Sequence, residues 1–238
     1  TEDELKTIGG LATKYDTIVI EDLAYMCMDF RKPLGKPFEP PFQPTIAKYT
    51  DNYIIMMSGS KMFSYAGQRI AIIAISDSLY HREYPLLPKW YKMSRLGDAY
   101  VFAVLYAVSS GATHSAQYAL AEMLRAAADG ELDFVTSAAE YARRAKISKK
   151  MSLDNGFHIV YSMDGDEPVS DGFFYTVGYK GMSSGELMAE LIRYGMATIA
   201  LSTTGSRQPG VRVCVSQLNR PDQFDMLEER LRLFAADH

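Results

Sequence analysis

The chain has 238 residues, enough for one large domain or two small ones with a sizeable core. With 47% hydrophobic and 23% charged residues, it is neither a disordered nor a low-complexity chain. Twenty-five Lys and Arg against 29 Asp and Glu give a formal charge of −4 and a pI near 5.6, so there is no electrostatic footprint for nucleic acid or an anionic membrane.

Glu2 to Lys14 carries Leu5, Ile8, Leu11 and Ala12 on one stripe, which predicts a helix, and Thr1 with Glu4 has the capping-box pattern. A chain that opens at a helix cap without an initiator Met is expected to be a processed protein or an excised fragment. Asp16 to Ile20 is a β-branched run suited to a buried strand. Five prolines between Arg31 and Pro44 predict a loop crossing a surface. Tyr53–Met57 and Arg69–Ile75 read as the second and third strands. The longest apolar run, Ala99 to Val108, is ten residues, well short of the roughly 20 that span a bilayer.

From Ser115 to about Lys150 the pattern is helical, broken at Asp129-Gly130. Phe157–Met163 and Phe173–Tyr179 then predict antiparallel strands around the polar turn Asp164–Pro168. A helix from Ser184, a strand at Val211–Ser216 and a last helix from Pro221, capped by Asn219, complete the chain. The order predicts an α/β part with a mostly parallel sheet, then a smaller α+β lobe, divided into 1–130 and 131–238.

Three segments carry chemistry. Ser58-Gly59-Ser60-Lys61, followed by Arg69, sits where the second strand ends, and ligands of open α/β sheets bind beyond the carboxyl ends of strands. A partly desolvated Lys there is a nucleophile for carbonyl carbon, while the serines and Arg69 offer what a phosphate needs; the alternative is an ordinary surface loop. Asp22-Leu23-Ala24-Tyr25 follows the first strand, where a carboxylate can keep a heteroaromatic nitrogen protonated and a phenol can meet a ring oxygen. The bland reading is that Asp22 caps a short helix and Tyr25 packs on the sheet. Arg212 lies within an apolar strand and requires a carboxylate, either an internal Asp or Glu or one from a substrate.

Asp-x-Ala-Tyr, Ser-x-Ser-Lys with Arg at +8, and an Arg in the last strand together resemble the pyridoxal-phosphate-dependent aminotransferases of class I/II, fold type I. The resemblance implies that residues 1–130 are a remnant of the cofactor-binding large domain and 131–238 the small domain. It implies pyridoxal 5'-phosphate as cofactor, with Lys61 bonding covalently to it and shuttling the proton. Asp22 would pair with the pyridine nitrogen and Tyr25 with the phenolic oxygen. Ser58, Ser60 and Arg69 would hold the phosphate, and Arg212 the substrate α-carboxylate. The reaction implied is amino-group transfer between an α-amino acid and a 2-oxo acid, in a cytoplasmic homodimer with neither nucleic-acid nor membrane partners. Ser110 or Thr113 would reach the neighbouring subunit's site.

Two departures qualify this. Ala71 stands where the family has Gly, one methyl larger. The family's Asn-Pro turn, phosphate-cradling helix and ring-stacking aromatic lie upstream of residues like these, so the chain is expected to be a C-terminal half that is inactive by itself and hides its uncovered sheet by self-association or by an altered packing. A pyridoxal-phosphate-dependent β-lyase and a non-catalytic sensing domain of a transcription regulator remain alternatives. No second Arg is assigned to an acidic side chain, with Arg82 and Arg95 unanchored, and the Phe173–Tyr175 aromatics are either an apolar substrate wall or core.

Cys27 and Cys214 form no CxxC pair, so neither a disulfide framework nor a cysteine zinc site is expected, and a reducing cytoplasm is the expected home. His81, His114, His158 and His238 are scattered without metal spacing, and Asp164, Asp166, Glu167 and Asp171 lack the spacing of an EF-hand loop. No metal is expected. Met26, Met28, Met56, Met57 and Met62 read as adaptable core filler.

Overall fold

The computed structural model describes residues 1–170 and 172–238, so Asp171 of the acidic turn lies outside the described residues. The chain forms two compact units: residues 1–27 with 34–135, and residues 28–33 with 136–238. The first is α/β and the second is built on an antiparallel sheet.

In the first unit, helix α1 spans Glu2–Lys14 and opens with the capping box, Thr1 accepting from the Glu4 amide while the Glu4 side chain reaches back. Ala12 is buried on the predicted stripe, whereas Ile8 and Leu11 are exposed. Strand β1 runs over Val19–Leu23, three residues later than the β-branched run suggests. The reason is a polar clasp. Asp16 takes a left-handed conformation (φ 47°), and its Oδ1 accepts from Arg82 Nη1 at 2.7 Å and from Asn52 Nδ2 at 3.2 Å, holding Asp16 in the turn.

Strand β2 (Tyr53–Ser58) pairs parallel with β1, Asp22 opposite Met56, and antiparallel with β3 (Ala71–Ile75), Ser58 opposite Ala71. The three strands are contiguous in the order β1-β2-β3. Leu23 and Ile55 face one side, where they pack with Ile46 and the half-buried Val19, Met26 and Met57. A second small cluster joins Ile70 to Ala116 and Leu120. Short helices α2 (Gly59–Met62), α3 (Asp77–Tyr80), α4 (Leu87–Tyr91) and α5 (Leu96–Asp98) connect to a π-helix at Ala99–Leu105 and to α6 (Tyr106–Ser109). Helix α7 (His114–Ala128) ends at Asp129, and Gly130 adopts φ 77°, the break expected there.

Helix α8 (Phe134–Asp154), which belongs to the second unit from Thr136 on, leads to β4 (Phe157–Ile159). The expected strand to Met163 stops early because Met163–Asp164 (β5) pairs with Glu167–Pro168 (β6) as its own hairpin across the polar turn. Strand β7 (Phe174–Tyr179), helix α9 (Ser184–Arg193), strands β8 (Ile199–Ala200) and β9 (Val211–Cys214) and helix α10 (Pro221–Asp237) follow. The sheet order is β4-β7-β9-β8, antiparallel throughout. One core joins Val177 and Val211 of the sheet to Leu187 and Leu191 of α9, Leu231 and Phe234 of α10, and Ala145 of α8. The cap of α10 is Arg220, not Asn219, because the Gln223 Oε1 accepts from both backbone amides, at 3.0 and 2.8 Å, and draws the chain one residue further before helix begins. No described helix is long and apolar enough to cross a membrane.

Candidate active site

Parallel neighbours β1 and β2 finish together, with Leu23 opposite Met57, so the two segments singled out from sequence leave the sheet side by side. Strand alternation sends Leu23, Ile55 and Met57 to the packed face and Asp22, Met56 and Ser58 to the other. Asp22 Oδ1 accepts from the Ala24 amide at 3.0 Å, tightening the turn that carries Tyr25; no helix follows for it to cap. Its second oxygen has no hydrogen-bond partner among the described residues. Tyr25 does not pack into the sheet and is exposed.

Ser58 ends β2 and caps α2, its Oγ accepting from the Ser60 amide at 3.1 Å. That turn lifts Lys61 off the strand end. Lys61 is half-buried, and its Nζ stands 5.4 Å from the centroid of the Tyr25 ring. No hydrogen bond or ion pair engages this amine among the described residues. Lys61 and Tyr25 are thus together, with Asp22 and Ser58 on one face of the adjoining strands. Ser60 is buried at 7% exposure, which makes it a poorer reach for a ligand than Ser58.

Arg69 is exposed, in a left-handed conformation (φ 52°), and donates from Nη1 to the Ala66 carbonyl at 2.7 Å. One such bond leaves the other guanidinium donors available. Ala71 lies at the exposed start of β3.

Arg212 belongs to the second unit. It sits in β9 opposite Thr176 and Ile199, its guanidinium carbon 4.2 Å from the centroid of Phe174. Its Nε is buried without a hydrogen-bond partner, and no internal carboxylate pairs with it among the described residues. Of the internal and external options for its partner, the described residues supply no internal one. Arg82 is not available for a substrate, being spent on Asp16 and Asn52. Tyr175 is core: it is buried, its hydroxyl is 3.3 Å from Ser152 Oγ, and burial raises its pKa above the usual tyrosine value.

The family model of class I and II aminotransferases matches residues 1–230. The chain belongs to the class I and II aminotransferases. Solved structures with the same fold include a methionine aminotransferase, YbdL, from Escherichia coli (17% identity, TM-score 0.68, covering 98% of this chain and 54% of that one). The aromatic aminotransferase of Pyrococcus horikoshii OT3 is 18% identical with TM-score 0.68, covering 100% and 56%. An aspartate aminotransferase double mutant of Thermus thermophilus is 17% identical with TM-score 0.67, covering 99% and 52%. No curated protein sequence matches. The chain therefore spans about half the length of the solved aminotransferases it matches.

The family implies pyridoxal phosphate. An amine with no hydrogen-bond or ion-pair partner and a carboxylate with one uncommitted oxygen among the described residues, together with a phenol, a hydroxyl and a guanidinium, all at one sheet rim in the first unit, are the groups that a phosphorylated pyridine aldehyde requires. The donor set fits. One neighbour was passed over in the sequence: Glu21, whose Oε2 accepts from the Ile46 amide at 2.9 Å on the packed face. Period-2 alternation is the signal that separates its structural role from that of Asp22.

Proposed function

We propose that this chain carries the lysine-bearing part of an aminotransferase that moves an amino group between an α-amino acid and a 2-oxo acid by means of pyridoxal 5'-phosphate. The observation that carries the reading is the half-buried Lys61, its amine 5.4 Å from the Tyr25 ring centroid, beside the strand whose Asp22 shares a face with Ser58. When bound, the cofactor supplies an electron sink for charge developing at the substrate Cα.

Lys61 would hold the cofactor covalently and, when free, take a proton from the substrate Cα and return it. The Asp22 carboxylate would keep the proton on the pyridine nitrogen, using the oxygen that the Ala24 amide leaves uncommitted. Tyr25 would donate to the ring oxygen. Ser58 can keep accepting from the Ser60 amide while its own hydroxyl proton goes to a phosphate oxygen, because a hydroxyl is donor and acceptor at once. Arg69 would add a charge-assisted contact, and Ser60 a weaker one. Arg212, which lacks a carboxylate among the described residues, would grip the substrate α-carboxylate. We infer a cytoplasmic homodimer, and little turnover from these 238 residues alone, since the matched aminotransferases are about twice as long.

The test is to incubate the protein with pyridoxal phosphate, reduce with borohydride and map the modified peptides. A dominant label on Lys61, lost in Lys61→Ala, is expected. Label spread evenly over surface lysines would overturn the reading.

A further inference from the structure

The second unit contains an apolar cavity of about 310 Å³, distinct from every residue assigned above to cofactor or substrate. Leu191, Met196, Val213, Leu218, Leu227 and Leu231 form its walls. Ser152, Tyr175, Cys214, Gln217 and Gln223 add polar atoms to the lining, and Thr198 and Arg230 add a hydroxyl and a charge. Thr198 lines the cavity, and its buried Oγ1 has no hydrogen-bond partner among the described residues. Buried hydroxyls are nearly always satisfied, so such an atom marks a place where a partner belongs. Arg230 also lines it, half-buried, donating from Nη1 to the Gly195 carbonyl at 2.6 Å, three residues before Thr198. No carboxylate pairs with Arg230 among the described residues. None of the described lining residues is acidic, and Arg230 is the charged one.

A cavity of this size, mostly apolar with a few convergent polar groups, has the character of a small-molecule site. We propose that it binds a small amphipathic monocarboxylate. Its carboxylate accepts from Arg230 and, once the Thr198 side chain turns its closed-off hydroxyl into the cavity, from that hydroxyl, and its hydrocarbon tail lies among the leucines. The sign of the charge follows from the lining: an ammonium would meet Arg230 with no anion to balance it. The tail length follows from volume: a cavity of roughly 150 Å³ holds a benzene ring, so about twice that takes a chain of about eight carbons. This inference goes beyond amino transfer and stands whether or not Lys61 binds a cofactor.

Calorimetric titration of the 238-residue chain with octanoate tests it, using 1-octanol as the uncharged control. One saturable site is expected, with octanol weaker. Arg230→Gln weakens octanoate binding about tenfold, Arg230→Lys recovers part of it, and Leu227→Trp, which fills the cavity, removes it. Thr198→Val weakens octanoate more than octanol. Far-ultraviolet circular dichroism checks that each variant is folded, and if Arg230→Gln is not, Arg230→Lys and Thr198→Val still decide. Absence of saturable heat, several equivalent sites, or folded Arg230→Gln and Leu227→Trp variants that bind like the parent would overturn the proposal.

Discussion

In the second unit, eleven buried residues from Ala145 to Phe234 form one continuous cluster, whereas the first unit has two clusters of three, with Ile54, Met62 and Leu79 buried outside them. The first unit also leaves Trp90, Phe102, Val108 and Tyr118 more than 60% exposed. What fastens it is more polar: Arg82 bridges Asp16 and Asn52, Asn52 Nδ2 donates to the Ala12 carbonyl, and the hydroxyls of Thr13 and Thr50 are 2.9 Å apart. Packing dominates where strands and helices enclose a shared interior. Where they do not, directional bonds at the chain reversals carry more of the burden.

The sharpest way to break this comparison is at Phe234, fully buried and in ring contact with Phe157, Tyr179 and Tyr194. Phe234→Ala should cost about 3–5 kcal/mol, read as a lower urea midpoint for the second unit. Ile46 is equally buried but belongs to a cluster of three, so Ile46→Ala should cost less, about 2–3 kcal/mol. Equal losses at the two sites would end the distinction drawn here.

Arg82→Ala should destabilise the first unit by about 1 kcal/mol, with Arg82→Lys recovering little because a lysine cannot engage Asp16 and Asn52 through a planar fork. A silent Arg82→Ala would mean that apolar contacts alone hold that unit. The smallest effect is acidic. Hydrogen bonding from Arg143, with a further contribution from Arg144, lowers the Glu140 pKa from 4.5 to about 2. A carboxyl held low in the folded state stabilises fully above 4.5, and that contribution disappears as pH falls toward 2. Glu140→Gln should flatten the acid limb of the second unit's stability by less than about 1 kcal/mol, since solvent screens this half-exposed pair. An unchanged pH profile would assign Glu140 no role in stability.

Much of the fold was readable because the relevant signals are local. The Thr1–Glu4 capping box, the break at Gly130 and the strand at Tyr53 each depend on residues a few positions apart. What went astray depended on partners far along the chain. Strand β1 begins late because Asp16 answers to Asn52 and Arg82, and β4 is short because residues 163–168 pair with themselves. The π-helix at Ala99–Leu105 had no signal beyond an apolar run. At the candidate site, the motif spacings named the residues, but that Tyr25 turns outward to meet Lys61, or that Arg82 is committed to a clasp, could not be read from spacing.

The amino-acid sequence by itself determined which residues cap, turn and alternate, and which chemical groups the chain possesses, since these follow from side-chain type and short-range periodicity. Only the tertiary structure decided that β1 and β2 end as parallel neighbours, so that Asp22 and Ser58 share a face, and that Thr198 and Arg230 line one cavity. Those outcomes depend on which distant segments exclude water from one another, and no local pattern records that choice.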